Sequence, residues 1–200
     1  MKEFAKTIIK LQAKYTAVWH TDPHASLPAS DTLEALVVTQ HQQNFDLWHE
    51  EDKAREPDAE DHIIAQVKRN IDGLNQRRND MITEIDVFLA EHDLATYQND
   101  QLPWNSETIG SIIDRLSIAS LKVYHMAEQT VRDDASEGHI KTCLEKLDRL
   151  KQQEQDLGIA LQSFIDDIID GKKQNKLYRQ FKMYNDPSLN PKIYNKKADS

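Results

Sequence analysis

Chain breakers are nearly absent from the interior of this sequence, and that restricts its fold more than any motif does. Its 200 residues include five glycines and six prolines. Between the few punctuated gaps, apolar residues return every three or four positions, the spacing of one face of an α-helix. Phe4, Ile8, Leu11, Tyr15, Val18 and Trp19 form the first such stripe, which Asp22-Pro23 ends. Ile63, Val67, Ile71, Leu74, Met81, Ile85 and Phe88 form another, on a helix expected to run to about Leu89. Glu56-Pro57-Asp58 breaks the chain before it, because the residue preceding a proline resists the α conformation. Ser106 or Thr108 is placed to cap a further helix bearing Ile109, Ile112, Ile113, Leu116, Ser120 and Val123. The last long stripe, Ile140, Leu144, Leu147, Leu157, Leu161, Ile165 and Ile168, closes at Gly171, a residue type favoured just past a helix C-terminus. The expectation is all-α: a single-domain bundle of about five or six helices over residues 1–200.

One stripe changes character halfway. Asp31 followed by Glu34 resembles a capping box and predicts a helix to about Arg55. Its apolar line of Leu33, Leu36 and Val37 continues at 100° per residue through Gln40, Asn44, Leu47, Trp48, Glu51 and Arg55. His41, Phe45 and Asp52 lie on the near flank, and His49 falls round to the side. Buried amides and charges are costly unless paired, so this line needs partners from other helices or from a ligand. Arg78, within the third stripe, and Asn70 and Arg77 beside it are candidate partners for Glu51 and Asp52. Two readings stay open: an internal network that only fixes helix packing, and a ligand site. In the second, His41 is a general base or acid oriented by Glu51 or Asp52. Arg55 and Arg78 would then bind an anionic small molecule, with Asn44 on the same line and Trp48 and Phe45 as an apolar wall.

The usual catalytic templates are missing: there is no P-loop, dinucleotide glycine fingerprint, G-x-S-x-G or H-E-x-x-H. Cys143 is the only cysteine, which excludes an intramolecular disulfide and a cysteine-based zinc cluster, and it reads as a core residue between Ile140 and Leu147. His49-x-x-Asp52 and His125-x-x-Glu128 each put two ligand-type residues on one helix face. Their convergence on a divalent metal is the alternative cofactor reading, not the favoured one. His20, at the end of the first helix, is expected to act as a dipole partner rather than a ligand. A second line on the fourth helix, Asp114, Ile118, Leu121, His125, Glu128 and Arg132, suits a position between layers, a homo-oligomer contact or a solvated face.

Charge is unevenly spread. The net charge is −9, yet residues 1–170 sum to −15 and residues 171–197 to +7. The acidic body argues against general nucleic-acid binding. Lys172–Tyr184 predicts a short helix with Leu177, Phe181 and Tyr184 inward and Lys176, Arg179 and Lys182 outward, so that segment 172–200 docks on the acidic bundle. A competing functional class, an interaction protein, would use this basic-aromatic tail. Glu91–Asn105 reads as a loop closed over the bundle by Trp104. Lysines at positions 2, 6, 10 and 14 leave no apolar leader, and no apolar run is long enough to span a bilayer, so a soluble cytoplasmic chain is expected.

Several runs together carry a resemblance: Y-T-A-V-W-H at 15–20, Q-H-Q-Q-N-F-D-L-W-H-E-E-D-K-A-R at 40–55, V-K-R-N-I-D-G-L-N-Q-R-R-N-D at 67–80, N-S-E-T-I-G-S-I-I-D-R-L-S at 105–117 and K-L-Y-R-Q-F-K-M-Y-N-D-P-S-L-N-P at 176–191. Over nearly the whole chain the sequence resembles the bacterial family catalogued as domain of unknown function 4254. That resemblance transfers no catalytic residues. It implies neighbours among cell-envelope polysaccharide genes, and so a sugar or sugar-phosphate context. Where the family pattern has a proline after S-E-T, this chain has Ile109, so the start of the fourth helix is expected to differ slightly.

Overall fold

Among the described residues the chain forms five long helices, three of which begin on a hydroxyl side chain that accepts a backbone N–H left over by the helix. In the computed structural model, which describes residues 1, 3–92, 94, 101–178, 186 and 188–194, these are α1 (Phe4–Thr21), α2 (Leu33–Lys53), α3 (Asp61–His92), α4 (Ile109–Gln129) and α5 (Glu137–Ile169), followed by one short turn, α6 (Pro191–Tyr194). Thr32, rather than Asp31, caps α2: its Oγ1 accepts from Ala35 N at 3.1 Å, while Asp31 adopts φ 66°. Thr108 caps α4 through Ser111 N, and Ser136 caps α5 through His139 N. Gly171 has φ 68°, and the bonds Lys172 N to Asp167 O and Gly171 N to Ile168 O close α5 in a Schellman turn. The chain is all-α among the described residues, and none of these helices is long and apolar enough to cross a membrane.

Pairwise contacts give the helix directions. Gln43 meets Arg77 and Glu50 meets Asn70, so α2 and α3 are antiparallel. Gln12 meets Ile113 and His20 meets Tyr124, while Thr16 meets His41 and His20 meets His49, so α1 runs parallel to both α4 and α2. Three parallel helices need a long return. The connection 22–32 supplies it, since extended chain of that length spans about 36 Å and α1 is only about 27 Å long.

A buried apolar cluster draws Phe4 and Ile8 from α1, Val37 from α2, Ile85 and Leu89 from α3, Ile109, Ile113 and Leu116 from α4, and Leu161 and Ile165 from α5. Helix α4 packs against all four of the others, and of its second line Asp114 and Leu121 are buried within the chain while Glu128 and Arg132 are exposed. Gly110 is obligatory at the α3–α4 crossing, because a Cβ there would lie 2.5 Å from Ile82 O.

The segment after α5 departs from expectation. Residues 172–178 are not helical; Gln174 bonds to the carbonyls of Leu102 and Pro103, and Asn175 Nδ2 donates to Leu94 O. Two buried amides therefore anchor this stretch, while Leu177, expected inward, is exposed. Trp104 is also exposed and lies under the Lys176 ammonium, so it does not close over the bundle. Arg179, Phe181, Lys182 and Tyr184 lie outside the described residues.

Candidate functional site

The polar half of α2 faces α3 and α4, and its centre is Asp114 on α4. Arg78 grips this carboxylate bidentately, Nε to Oδ1 at 2.7 Å and Nη2 to Oδ2 at 2.6 Å. Gln40 Nε2 and Asn44 Nδ2 also donate to Oδ1, at 2.6 and 2.9 Å. A buried carboxylate is tolerable when it is paired and its lone pairs are filled, as here. The Arg78 charge is reinforced in turn, its pKa raised chiefly by the hydrogen bonds to Asp114.

From Asp114 the network runs inward. Asn44 Nδ2 also donates to Ser117 Oγ at 2.9 Å, and His41 lies 2.7 Å from Ser117 Oγ through Nδ1 and 2.8 Å from Thr16 Oγ1 through Nε2. Thr16 Oγ1 gives its own proton to Gln12 O, so it accepts from His41 Nε2–H, and His41 Nδ1 accepts from Ser117. These partners assign the neutral Nε2–H tautomer. Burial pushes the His41 pKa down to about 3, well below the ordinary 6.5. His41 is fully enclosed, bonds to neither Glu51 nor Asp52 and is absent from the walls of the cleft described next, so it is not placed to meet a ligand there. Burial against α1 is the physical reason, since the near flank of α2 is covered by Thr16 and Trp19.

Above Arg78 a cleft of about 500 Å³ opens between α2, α3 and α4. Asn44, Trp48, Glu51, Asp52, Arg55 and Arg78, the remaining residues singled out from the sequence for catalysis or binding, all line it, joined by Leu47, Asn75, Ile118 and Leu121. Glu51 and Asp52 do not meet Arg77 or Asn70; those side chains bond to Gln43 and Glu50. Glu51 instead pairs with Arg55 one turn on, at 2.9 Å, and both are substantially exposed.

The anticipated metal set is only half assembled. His49 and His125 approach each other, with ring centroids 5.6 Å apart. Asp52 and Glu128 sit instead on the Nδ1 sides of their own histidines, at 3.8 and 2.9 Å. The third group facing the pair is His20 from α1, whose ring lies 5.3 Å from His49 and 5.0 Å from His125. Tyr124 stacks on His20 and Trp48 on His125, enclosing the group in aromatic rings.

Comparison with known families supplies one match. The family model described as "Protein of unknown function (DUF4254)" covers residues 34–177, well over half of the chain. The chain belongs to this family. No curated protein and no solved structure matches it. The span shared with the DUF4254 family holds every residue of the cleft and Asp114 beneath it, whereas Gln12, Thr16 and His20 of α1 lie before it. Asp114 and Ser117 were not picked out as site residues from the sequence. The available signal was the mixed polar and apolar second line on α4, which here serves the interior.

Proposed function

We propose that the cleft between α2, α3 and α4 binds a small hydroxyl-rich ligand of sugar-like chemistry. The observation that supports it most is the Arg78–Asp114 pair, fixed by Gln40 and Asn44 before any ligand arrives, with Arg78 in the wall of a cleft that an indole and aliphatic side chains also line. Pockets that select small ligands combine such apolar walls with a few rigidly held polar groups. The charge inventory favours a neutral ligand: two carboxylates and two guanidiniums line the cleft, and Asp114 already neutralises Arg78. Glu51 and Asp52 offer acceptors to hydroxyl groups, Asn44 and Asn75 offer amides, and Trp48 offers a flat face for a sugar ring. For any acid–base step on such a ligand, Glu51 and Asp52 replace His41 as the groups at hand.

A second reading adds an anionic substituent, as in a sugar phosphate. It is favoured by the exposure of the Arg55–Glu51 pair, since surface ion pairs are worth only about 0–1 kcal/mol and exchange partners readily. The polysaccharide context implied by family resemblance fits either reading.

Thermal melting of the full chain against sugars, sugar phosphates and nucleotide sugars separates them. Saturation a hundredfold above Kd stabilises by about 2.7 kcal/mol, roughly 5–10 °C for a chain of this size. Glu51→Gln should reduce the shift from neutral sugars, and Arg55→Ala only the extra shift from a phosphate. A panel that leaves the melting temperature unmoved at millimolar concentration would exclude the cleft as a sugar site.

A further inference from the structure

The histidines at positions 20, 49 and 125 come from three helices and share one property: each sits in the last one or two turns of its helix. Because α1, α2 and α4 run parallel, their carboxyl ends gather at the same end of the bundle. Helix carboxyl ends carry partial negative charge, which favours a bound cation.

The hydrogen bonds prepare the rings in the same sense. His20 Nδ1–H donates to Thr16 O at 2.7 Å, and His125 Nδ1–H donates to Glu128 Oε2 at 2.9 Å. Both Nε2 atoms therefore carry lone pairs, and both are buried without any hydrogen-bond partner. His49 faces Asp52 through Nδ1 in the same manner, more loosely. One ring nitrogen from each histidine lies within 4.8 Å of the other two. Three imidazole nitrogens around a tetrahedral zinc ion are about 3.3 Å apart, so small rotations of the side chains close the set. An outer carboxylate or carbonyl holding the far nitrogen of a ligating histidine is the arrangement that fixes the tautomer and strengthens the ligand.

We propose that His20, His49 and His125 form a three-histidine site for a divalent transition metal of the zinc type, with Glu128 and Asp52 as its outer carboxylates. Aromatic packing alone does not account for the geometry, because stacking against Tyr124 and Trp48 leaves two buried nitrogens unmatched, and a buried unmatched polar atom is costly. A metal removes that cost. Imidazole ligands suit Zn²⁺, Co²⁺, Ni²⁺ and Cu²⁺ rather than Mg²⁺ or Ca²⁺. Three protein ligands leave a coordination position for water or another molecule, the composition of reactive rather than purely structural zinc sites. Asp52 and Trp48 line both the main cleft and the adjoining recess that holds His125, so the metal would lie directly behind the cleft wall. The proposal does not depend on what the cleft binds.

The test uses the full chain made without a polyhistidine tag, stripped with a chelator, then titrated with Zn²⁺ in a calorimeter and with Co²⁺ in a spectrophotometer. One equivalent of Zn²⁺ should bind, and Co²⁺ should give the intense visible bands of a four-coordinate site. His49→Gln, at a position more exposed than His125, and His125→Gln should each weaken binding at least 100-fold, and Glu128→Gln 10- to 100-fold, with helical circular dichroism unchanged. Failure of the wild-type chain to bind a stoichiometric ion would overturn the proposal, as would wild-type affinity in folded His49→Gln protein. If His125→Gln fails to fold, His49→Gln and the Co²⁺ spectrum decide alone.

Discussion

Two polar clusters occupy the same three parallel helices, one to two turns apart, and their hydrogen bonding differs. Around His41 both ring nitrogens are matched, and Asp114 receives four donors. The leftovers there are the side-chain carbonyl oxygens of Gln12 and Gln40, whose amide nitrogens are bonded, and the indole Nε1 of Trp19, which packs against His41. In the other cluster the Nε2 atoms of His20 and His125 are buried without a partner, and one ring nitrogen of each lies within 4.8 Å of the other. Matched donors and acceptors make a polar core that fixes helix positions; unmatched lone pairs converging from separate helices make a place for something else.

The largest expected effect tests the first half of that contrast. Asp114→Ala leaves the Arg78 guanidinium without its partner, and breaking a pair of this kind costs about 3–5 kcal/mol, readable by chemical denaturation. A cost below about 1 kcal/mol would mean that the network is incidental to stability.

Asp86 stands between the two cases. Its Oδ1 accepts from Gly110 N at 2.6 Å while Oδ2 is buried without a partner, and burial raises its pKa to about 6 from 3.8. The unfolded chain ionises this group first, so its contribution to stability falls as pH rises from about 4 to about 6 and is constant above. Asp86→Asn should therefore be more stable than wild type above pH 6 by up to about 3 kcal/mol, with the gain fading towards pH 4. His41 has the opposite sign: its pKa is lowered, so stability falls by roughly 1.4 kcal/mol per unit as pH drops below about 6.5. The two slopes largely cancel in wild type between pH 4 and 6. Asp86→Asn should uncover the His41 slope.

The smallest effects belong to the second half of the contrast. His49→Gln in metal-free protein, and Glu51→Gln at the exposed cleft rim, should each change stability by less than about 1 kcal/mol. A loss of several kcal/mol at position 49 without metal would make the histidine cluster a packing element.

The helices were legible because each stripe had to be buried and few residues interrupt it. The polar line of α2 was legible too, since Asn44, Trp48, Glu51, Asp52, Arg55 and Arg78 follow one face of each hairpin partner. The burial of His41 was not legible because only the position of α1 decides which flank of α2 is sealed. His20 was missed for the same reason. Nothing in a single sequence shows that α1 lies parallel to α2 and α4, and that alignment is what brings positions 20, 49 and 125 to one end. Residues 172–178 misled because a basic-aromatic pattern reads as amphipathic helix, whereas Gln174 and Asn175 anchor a non-helical stretch to the carbonyls of Leu94, Leu102 and Pro103.

The long return at 22–32 has a consequence for the order of assembly. The α2–α3 and α4–α5 hairpins join neighbours in sequence, whereas α1 reaches Ile113 and Tyr124 across more than a hundred residues. Pairings between distant parts of a chain tend to form late in folding. The expected sequence of events is therefore two hairpins that meet first and an N-terminal helix that docks last, enclosing His41 and delivering His20. Amide exchange should then show α1 opening more readily than α4, and any occupant of the histidine cluster would act as a latch on the helix that arrived last.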